Sequence, residues 1–145
     1  MHLSDFHRLG IKNFTPREIE RTGARLADVH PATMIMLQRF RTDIGRRVAL
    51  LPGGLTTGNH RSPLHPAGLA VDFSFFEADG PVDIRSVYRH LLNARAMGIG
   101  LYHNGAAYSV HADVGNTRRF WAGHKRHRAD AWTMRALIID PADFT

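Results

Sequence analysis

Apolar residues recur along this chain at two different periods, and the switches between them divide it into helices and strands. Thr15-Pro16-Arg17-Glu18 has capping-box spacing with proline at the first helical position. That predicts a short helix from Pro16 to about Thr22, stopped by Gly23. After Pro31, the residues Met34, Leu37, Phe40 or Arg41, and Ile44 fall at helical spacing, predicting a second helix that ends at Gly45. Arg47 to Leu51 is a short apolar run closed by Pro52-Gly53-Gly54, the pattern of a buried strand entering a loop. From Leu69 to Phe76 the period becomes two. Leu69, Val71, Phe73 and Phe75 share one face, while Ala70, Asp72, Ser74 and Phe76 share the other. Asp83 is placed to cap a third helix with Ile84, Val87, Leu91 and Ala94 in one stripe, ending at Gly98. Gly98 to Tyr102 and Ala107 to Val114 then predict a hairpin turning through His103-Asn104-Gly105.

The polar faces of these strands carry the candidate chemistry. In the second arm of the hairpin Tyr108, Val110, Ala112 and Val114 lie on one face, leaving Ser109, His111 and Asp113 on the other. His65 sits at the end of a long loop, Gly53 to Pro66, and Gly68 after it permits a tight turn back over the Asp72 strand. Three nitrogen and oxygen donors, His65, Asp72 and His111, are therefore candidates to converge. A catalytic zinc takes three such protein ligands and keeps a position for water. The spacing equally fits ordinary hydrogen-bonded histidines with locally paired aspartates.

Composition narrows the choice. The 145 residues contain no internal repeat or dividing linker and read as one domain over 1–145. A hydrophobic fraction of 43% excludes a disordered chain, and no apolar run approaches the ~20 residues of a membrane span. The absence of cysteine excludes disulfides, thiolate zinc sites, iron-sulfur clusters and thiol nucleophiles. Any metal must then be held by Asp, Glu or the ten histidines. His2, Asp5, His7 and Arg8 interrupt the first apolar residues, so no Sec-type signal peptide is expected and the chain is expected to be cytoplasmic as synthesised. Nineteen Lys and Arg against 13 Asp and Glu give a net charge of +6, which suits an anionic partner. The cluster Arg118, Arg119, Lys125, Arg126 and Arg128 fits either a solvated face or attraction to an anionic wall polymer. It lacks the aromatic interleaving or recognition helix of a specific nucleic-acid binder. The apolar stretch Trp132 to Ile139 is compatible with helix or strand.

Ser62-Pro63-Leu64-His65-Pro66-Ala67-Gly68-Leu69-Ala70-Val71-Asp72 resembles the Ser-x-x-His-x-x-Gly-x-Ala-x-Asp signature of zinc peptidases that cut peptidoglycan peptides. These are the D-alanyl-D-alanine carboxypeptidases and L-alanyl-D-glutamate endopeptidases, many phage endolysins among them. Asn13 to Glu18, Gly98 to Tyr102, Val110-His111-Ala112-Asp113-Val114-Gly115 and Arg119-Phe120-Trp121 resemble further family segments, so the likeness runs from about Asn13 to Trp121. It implies a small α+β domain of the Hedgehog/DD-peptidase type, an antiparallel sheet bearing the metal and packed with about three helices. It also implies one Zn2+ held by His65, Asp72 and His111, and hydrolysis of stem peptides or cross-links in peptidoglycan. A phage-encoded lysis enzyme or a bacterial wall-remodelling enzyme would fit. In the implied mechanism a carboxylate takes a proton from water and a cation stabilises the oxyanion.

Two positions depart from the family pattern. Where many relatives carry Glu or Asp three residues before the last histidine, this chain has Tyr108, which leaves the general base unassigned. Asp113 is the local candidate for that role, and orienting His111 is its other reading. The upstream Tyr-Arg-Ser segment of relatives is replaced by a loop in which Arg61 stands close to His65, either acting as the cation or simply solvated. His60 is a further candidate for proton transfer. The alternative function is a non-catalytic, metal-containing module that binds cell wall or serves as a phage structural component.

Overall fold

Capping side chains set where the helices begin. Thr15 Oγ1 accepts from the Glu18 amide at 3.3 Å while Glu18 Oε2 accepts from the Thr15 amide at 2.7 Å. This is the reciprocal pairing expected from the sequence. In a computed structural model, which describes residues 1–104 and 107–124, that motif opens α2 (Pro16–Arg21). His30 Nδ1 accepts from the Ala32 amide at 3.1 Å to open α3 (Pro31–Ile44), which closes at Gly45 with a φ of 65°. Asp83 opens α4 (Ile84–Asn93) by accepting from the Arg85 amide at 3.0 Å. A fourth helix, α1 (Leu3–Arg8), precedes them. No helix among the described residues is long and apolar enough to cross a membrane.

The described residues form five strands, β1 (Val48–Leu50), β2 (Ala70–Phe75), β3 (Gly98–Asn104), β4 (Ala107–Asp113) and β5 (Arg119–His124). They form one sheet in the order β1-β2-β4-β3-β5. Val71 and Phe73, Val110 and Ala112, Ile99 and Leu101 are buried on one face. Against that face Phe40 of α3 packs at a tilt on Phe73, ring centroids 5.4 Å apart, and Tyr88 of α4 meets Phe120 edge-on at 4.7 Å. The helices thus cover one side of the sheet and leave the other for Asp72, Ser109 and His111.

Three expectations are corrected. The sheet is mixed, because β5 runs parallel to β3. After β4 the chain crosses the Gly98 end of β3 and pairs Arg119 beside it, so β5 must run in the direction of β3. Among the described residues the α-helices number four rather than about three. Finally, α4 ends at Asn93 and not at Gly98: Arg95 turns left-handed, with φ 69°, and the Ala96 amide reaches back to the Leu91 carbonyl at 3.0 Å. Gly98 is the first residue of β3, where the predicted hairpin strand begins. Lys125, Arg126, Arg128 and the Trp132 to Ile139 stretch lie outside the described residues, as does Gly105 of the predicted turn.

Gly98 and Gly100 have a steric purpose. A Cβ at Gly98 would collide with the Asp113 carboxylate, and one at Gly100 with the Trp121 indole, 2.5 Å from its Cε2. Glycine inside a strand marks such close approaches. Gly98→Ala is expected to cost about 3 kcal/mol, since overpacking would push a buried carboxylate off its donors. Gly100→Ala is expected to cost about 1–3 kcal/mol by displacing Trp121. Urea unfolding checks both, and a wild-type midpoint for Gly98→Ala would contradict the packing described.

Candidate metal centre

Asp72 on β2 and His111 on β4 are direct cross-strand partners, so the ladder itself sets their side chains together on the exposed face. Two further bonds zip the preceding loop onto Asp72: its amide donates to the Gly54 carbonyl at 2.7 Å, and its carbonyl accepts from the Leu51 amide at 3.1 Å. His65 arrives from the loop through the turn expected at Gly68, whose φ is 73°. A side chain there would also run into the Asp28 carbonyl. The Gly68 carbonyl accepts from the His30 amide at 3.0 Å and from Thr33 Oγ1 at 2.7 Å, which ties the turn to the start of α3. His65 is consequently 1% exposed.

The two histidines are held in defined tautomers. His65 Nδ1 lies 2.7 Å from the Leu55 carbonyl, which can only accept, so the ring proton sits on Nδ1 and the Nε2 lone pair faces Asp72. His111 Nε2 lies 3.0 Å from Asp113 Oδ2, and its Nδ1 faces the same point. Three acceptor atoms therefore converge: His65 Nε2 to His111 Nδ1 is 3.2 Å, His111 Nδ1 to Asp72 Oδ1 is 3.0 Å, and His65 Nε2 to Asp72 Oδ1 is 3.4 Å. Such a triangle demands a positive charge, either a proton or a metal ion.

His60 completes the cluster. Ligand atoms of His60, His65 and Asp72 lie within 4.8 Å of one another, so this group can hold a metal ion. The rings of His60 and His65 are stacked, however, with centroids 3.5 Å apart and planes 12° from parallel. A metal bonds in the plane of an imidazole, and parallel planes do not meet on one ion. The His65 and His111 rings stand at 65° and do meet. His60 Nε2 is 2.6 Å from the Gly53 carbonyl and 2.8 Å from that of Thr57, which places its proton there. Its Nδ1 faces Asp72 Oδ2 at 3.7 Å.

Asp113 stands behind His111 rather than beside the triangle. Its Oδ1 accepts from the Gly98 and Gly115 amides, each at 3.0 Å, and its Oδ2 from His111 Nε2 and from Arg119 Nη2 at 3.1 Å. With no exposure and all four donors in place, its geometry fits the second of its two readings, orienting His111. Arg61 is exposed and lines the pocket mouth, and among the described residues no hydrogen bond or ion pair fixes it. Arg119 and Trp121, which in the sequence stand out only as a segment of the family likeness, line the same pocket as the three candidate ligands. The signal that could have found them is the Gly98-x-Gly100 spacing, which announces bulky neighbours lying across β3.

Comparison with protein-family models, curated proteins and solved structures gives no match for this chain.

Burial opposes the charged forms of these groups, and their mutual contacts outweigh it. The hydrogen bond and charge of protonated His111 hold the Asp72 carboxyl well below its usual range. His111, the Gly115 amide and Arg119 do the same for Asp113, while Asp113 and Asp72 raise His111 above its ordinary 6.5. In metal-free protein the charged His111 stabilises the fold below pH 6.5, and this contribution is lost as pH rises through its raised value. The ionised aspartates contribute above 3.8, lost as pH falls through their lowered values. The melting temperature after chelation is expected to peak between about pH 4 and 6.5, with His111→Gln flattening the alkaline limb. A wild-type melting temperature that climbs steadily from the acid side into the alkaline range would contradict this.

Proposed function

We propose that this chain is a zinc-dependent metallopeptidase of the Hedgehog/DD-peptidase type, hydrolysing peptide bonds in peptidoglycan stem peptides or their cross-links. The observation that carries the reading is the triangle of acceptors. A tetrahedral zinc with bonds of about 2.0–2.1 Å holds neighbouring ligand atoms roughly 3.3 Å apart. The three separations, 3.0, 3.2 and 3.4 Å, fit that spacing. His65 Nε2, Asp72 Oδ1 and His111 Nδ1 would hold the ion, and a set without sulfur suits zinc. When bound, the metal supplies Lewis-acid polarisation of the scissile carbonyl and lowers the pKa of water toward ~7.

The remaining steps belong to the chain's own residues. Leu55 and Asp113 keep the two imidazoles aimed. Tyr108 lies on the strand face opposite His111, so nothing at the relatives' base position reaches the centre. His60 takes that part: its Nε2 proton is anchored by two carbonyls, and Nδ1 is left to accept a proton beside Asp72. These groups border an open pocket of about 440 Å³, walled on one side by Trp121, large enough for a segment of peptide. A second reading, a non-catalytic metal-containing module that binds cell wall or builds a phage structure, is favoured by Tyr108 standing where relatives carry the base.

Metal analysis of purified protein is expected to find one zinc per chain, lost in His65→Ala/His111→Ala. Full occupancy in the double variant would sink the ligand assignment. Incubation with purified sacculi, followed by mass spectrometry, is expected to show released peptides. His60→Ala should retain zinc and lose about 100-fold or more in turnover. Unchanged turnover removes His60 from the reaction, and zinc-loaded wild type that releases no peptide favours the non-catalytic reading.

A further inference from the structure

The face of the sheet that carries His111 also carries a cation in a fixed place. Arg119 on β5 lies in register with Gly98, and Trp121 with Gly100, so both side chains reach over β3 toward the centre. Asp113 Oδ2 holds Arg119 Nη2 at 3.1 Å, and the guanidinium carbon is 5.5 Å from the centroid of the Trp121 ring. The indole is itself fixed, donating from Nε1 to the Tyr102 hydroxyl at 2.8 Å. A guanidinium carries five N–H donors in a planar fork, and the bond to Asp113 uses one nitrogen. The Arg119 side chain is 44% exposed and lines the same pocket as His65, Asp72 and His111. It is a pre-ordered donor set beside the candidate metal ligands. Arg61 opens on the same pocket from an exposed loop, and its ordering on binding would cost side-chain entropy that Arg119 has already lost.

We propose that Arg119 binds a carboxylate of the substrate and thereby sets which peptides this centre accepts. The proposal rests on the peptidase reading above and adds the residue that selects among its substrates, by holding a free carboxylate close to the bond to be cut. A planar fork matches a carboxylate in paired hydrogen bonds, and the Trp121 ring beneath the guanidinium helps to keep that fork in place. Stem peptides offer such a carboxylate from two sources, the C-terminal D-alanine and the α-carboxyl of the γ-linked D-glutamate. The first makes the enzyme a carboxypeptidase, and the second makes it an endopeptidase.

The probes are the pentapeptide L-Ala-γ-D-Glu-L-Lys-D-Ala-D-Ala, its C-terminal amide and its glutamate α-amide, titrated calorimetrically into zinc-loaded protein. Wild type is expected to bind the parent at least about tenfold more tightly than one of the two amides, and the amide that loses affinity names the source of the carboxylate. Arg119→Gln should bind the parent and that amide alike. Arg119→Lys keeps the charge beside Asp113 and should retain part of the preference together with a melting temperature near that of wild type. A structural role alone would lower affinity for all three probes and leave the ratio between parent and amide unmoved. Wild type that binds all three alike, or Arg119→Gln that keeps the preference, overturns the carboxylate assignment and leaves the peptidase reading standing. Wild type that binds none of the three overturns both.

Discussion

A carboxylate without contact to water has to be surrounded by donors, and Asp113 draws its four from β3, from the crossover after β4, from β4 itself and from β5. A buried charge stripped of its partners costs several kcal/mol (about 3–5 when one partner of an ion pair is removed), so these elements are locked to one another by the penalty for separating them. The lock also decides the chemistry. By taking the Nε2 proton of His111, Asp113 leaves Nδ1 as the atom that faces Asp72. Gly98 is the residue that makes room for this arrangement, because any larger one would occupy the space of the carboxylate.

Stability and function pull in opposite directions a few ångströms away. Two imidazole lone pairs and a carboxylate oxygen meet with no donor between them unless His111 is protonated, which is why its pKa is raised in the metal-free protein. Under the proposed reading a metal ion replaces that proton, and binding is linked to proton release and to folding. The fold keeps the acceptors together through the backbone: Asp72 and His111 by strand register, His65 by the Gly68 turn on α3. A site preset in this way loses little entropy when the cation arrives.

Much of this was legible in the amino-acid sequence because it depends on period and on caps. Alternation put Asp72 on one strand and His111 with Asp113 on another, each on the less apolar face, and the capping motifs at Thr15 and Asp83 set two helix starts. What period cannot show is direction along a strand. Asp113 and His111 share a face, yet one lies behind the other and not beside the ligand atoms, a matter of register and of the Gly98 end of β3. The parallel β5 was hidden for a related reason: Arg119 to His124 is short and polar at both ends, and its pairing is dictated by the crossover. Gly98 was misread as a helix stop because glycine serves both purposes, and α1 escaped notice because His2 is a poor cap by type, its amide being satisfied by Asp5 Oδ2 at 2.6 Å.

Under the proposed reading, Tyr108 standing where the peptidase pattern has a carboxylate base has an electrostatic counterpart elsewhere in the site. A carboxylate base next to Asp72 would place a second negative charge against a group that is already ionised and largely withdrawn from water. The closer such charges lie in a low-dielectric pocket, the more one of them is driven to hold a proton. A neutral imidazole adds no charge. His60 is stacked on His65, with its Nε2 proton spent on two carbonyls and Nδ1 turned to Asp72, so it offers a lone pair without that repulsion. Under the proposed reading the base sits on the glycine-rich loop rather than on a strand, and that loop holds the ring at Nε2 through the Gly53 and Thr57 carbonyls. A base carried on a mobile loop loses the fixed geometry that proton transfer requires, and here the backbone of the loop itself supplies the rigidity.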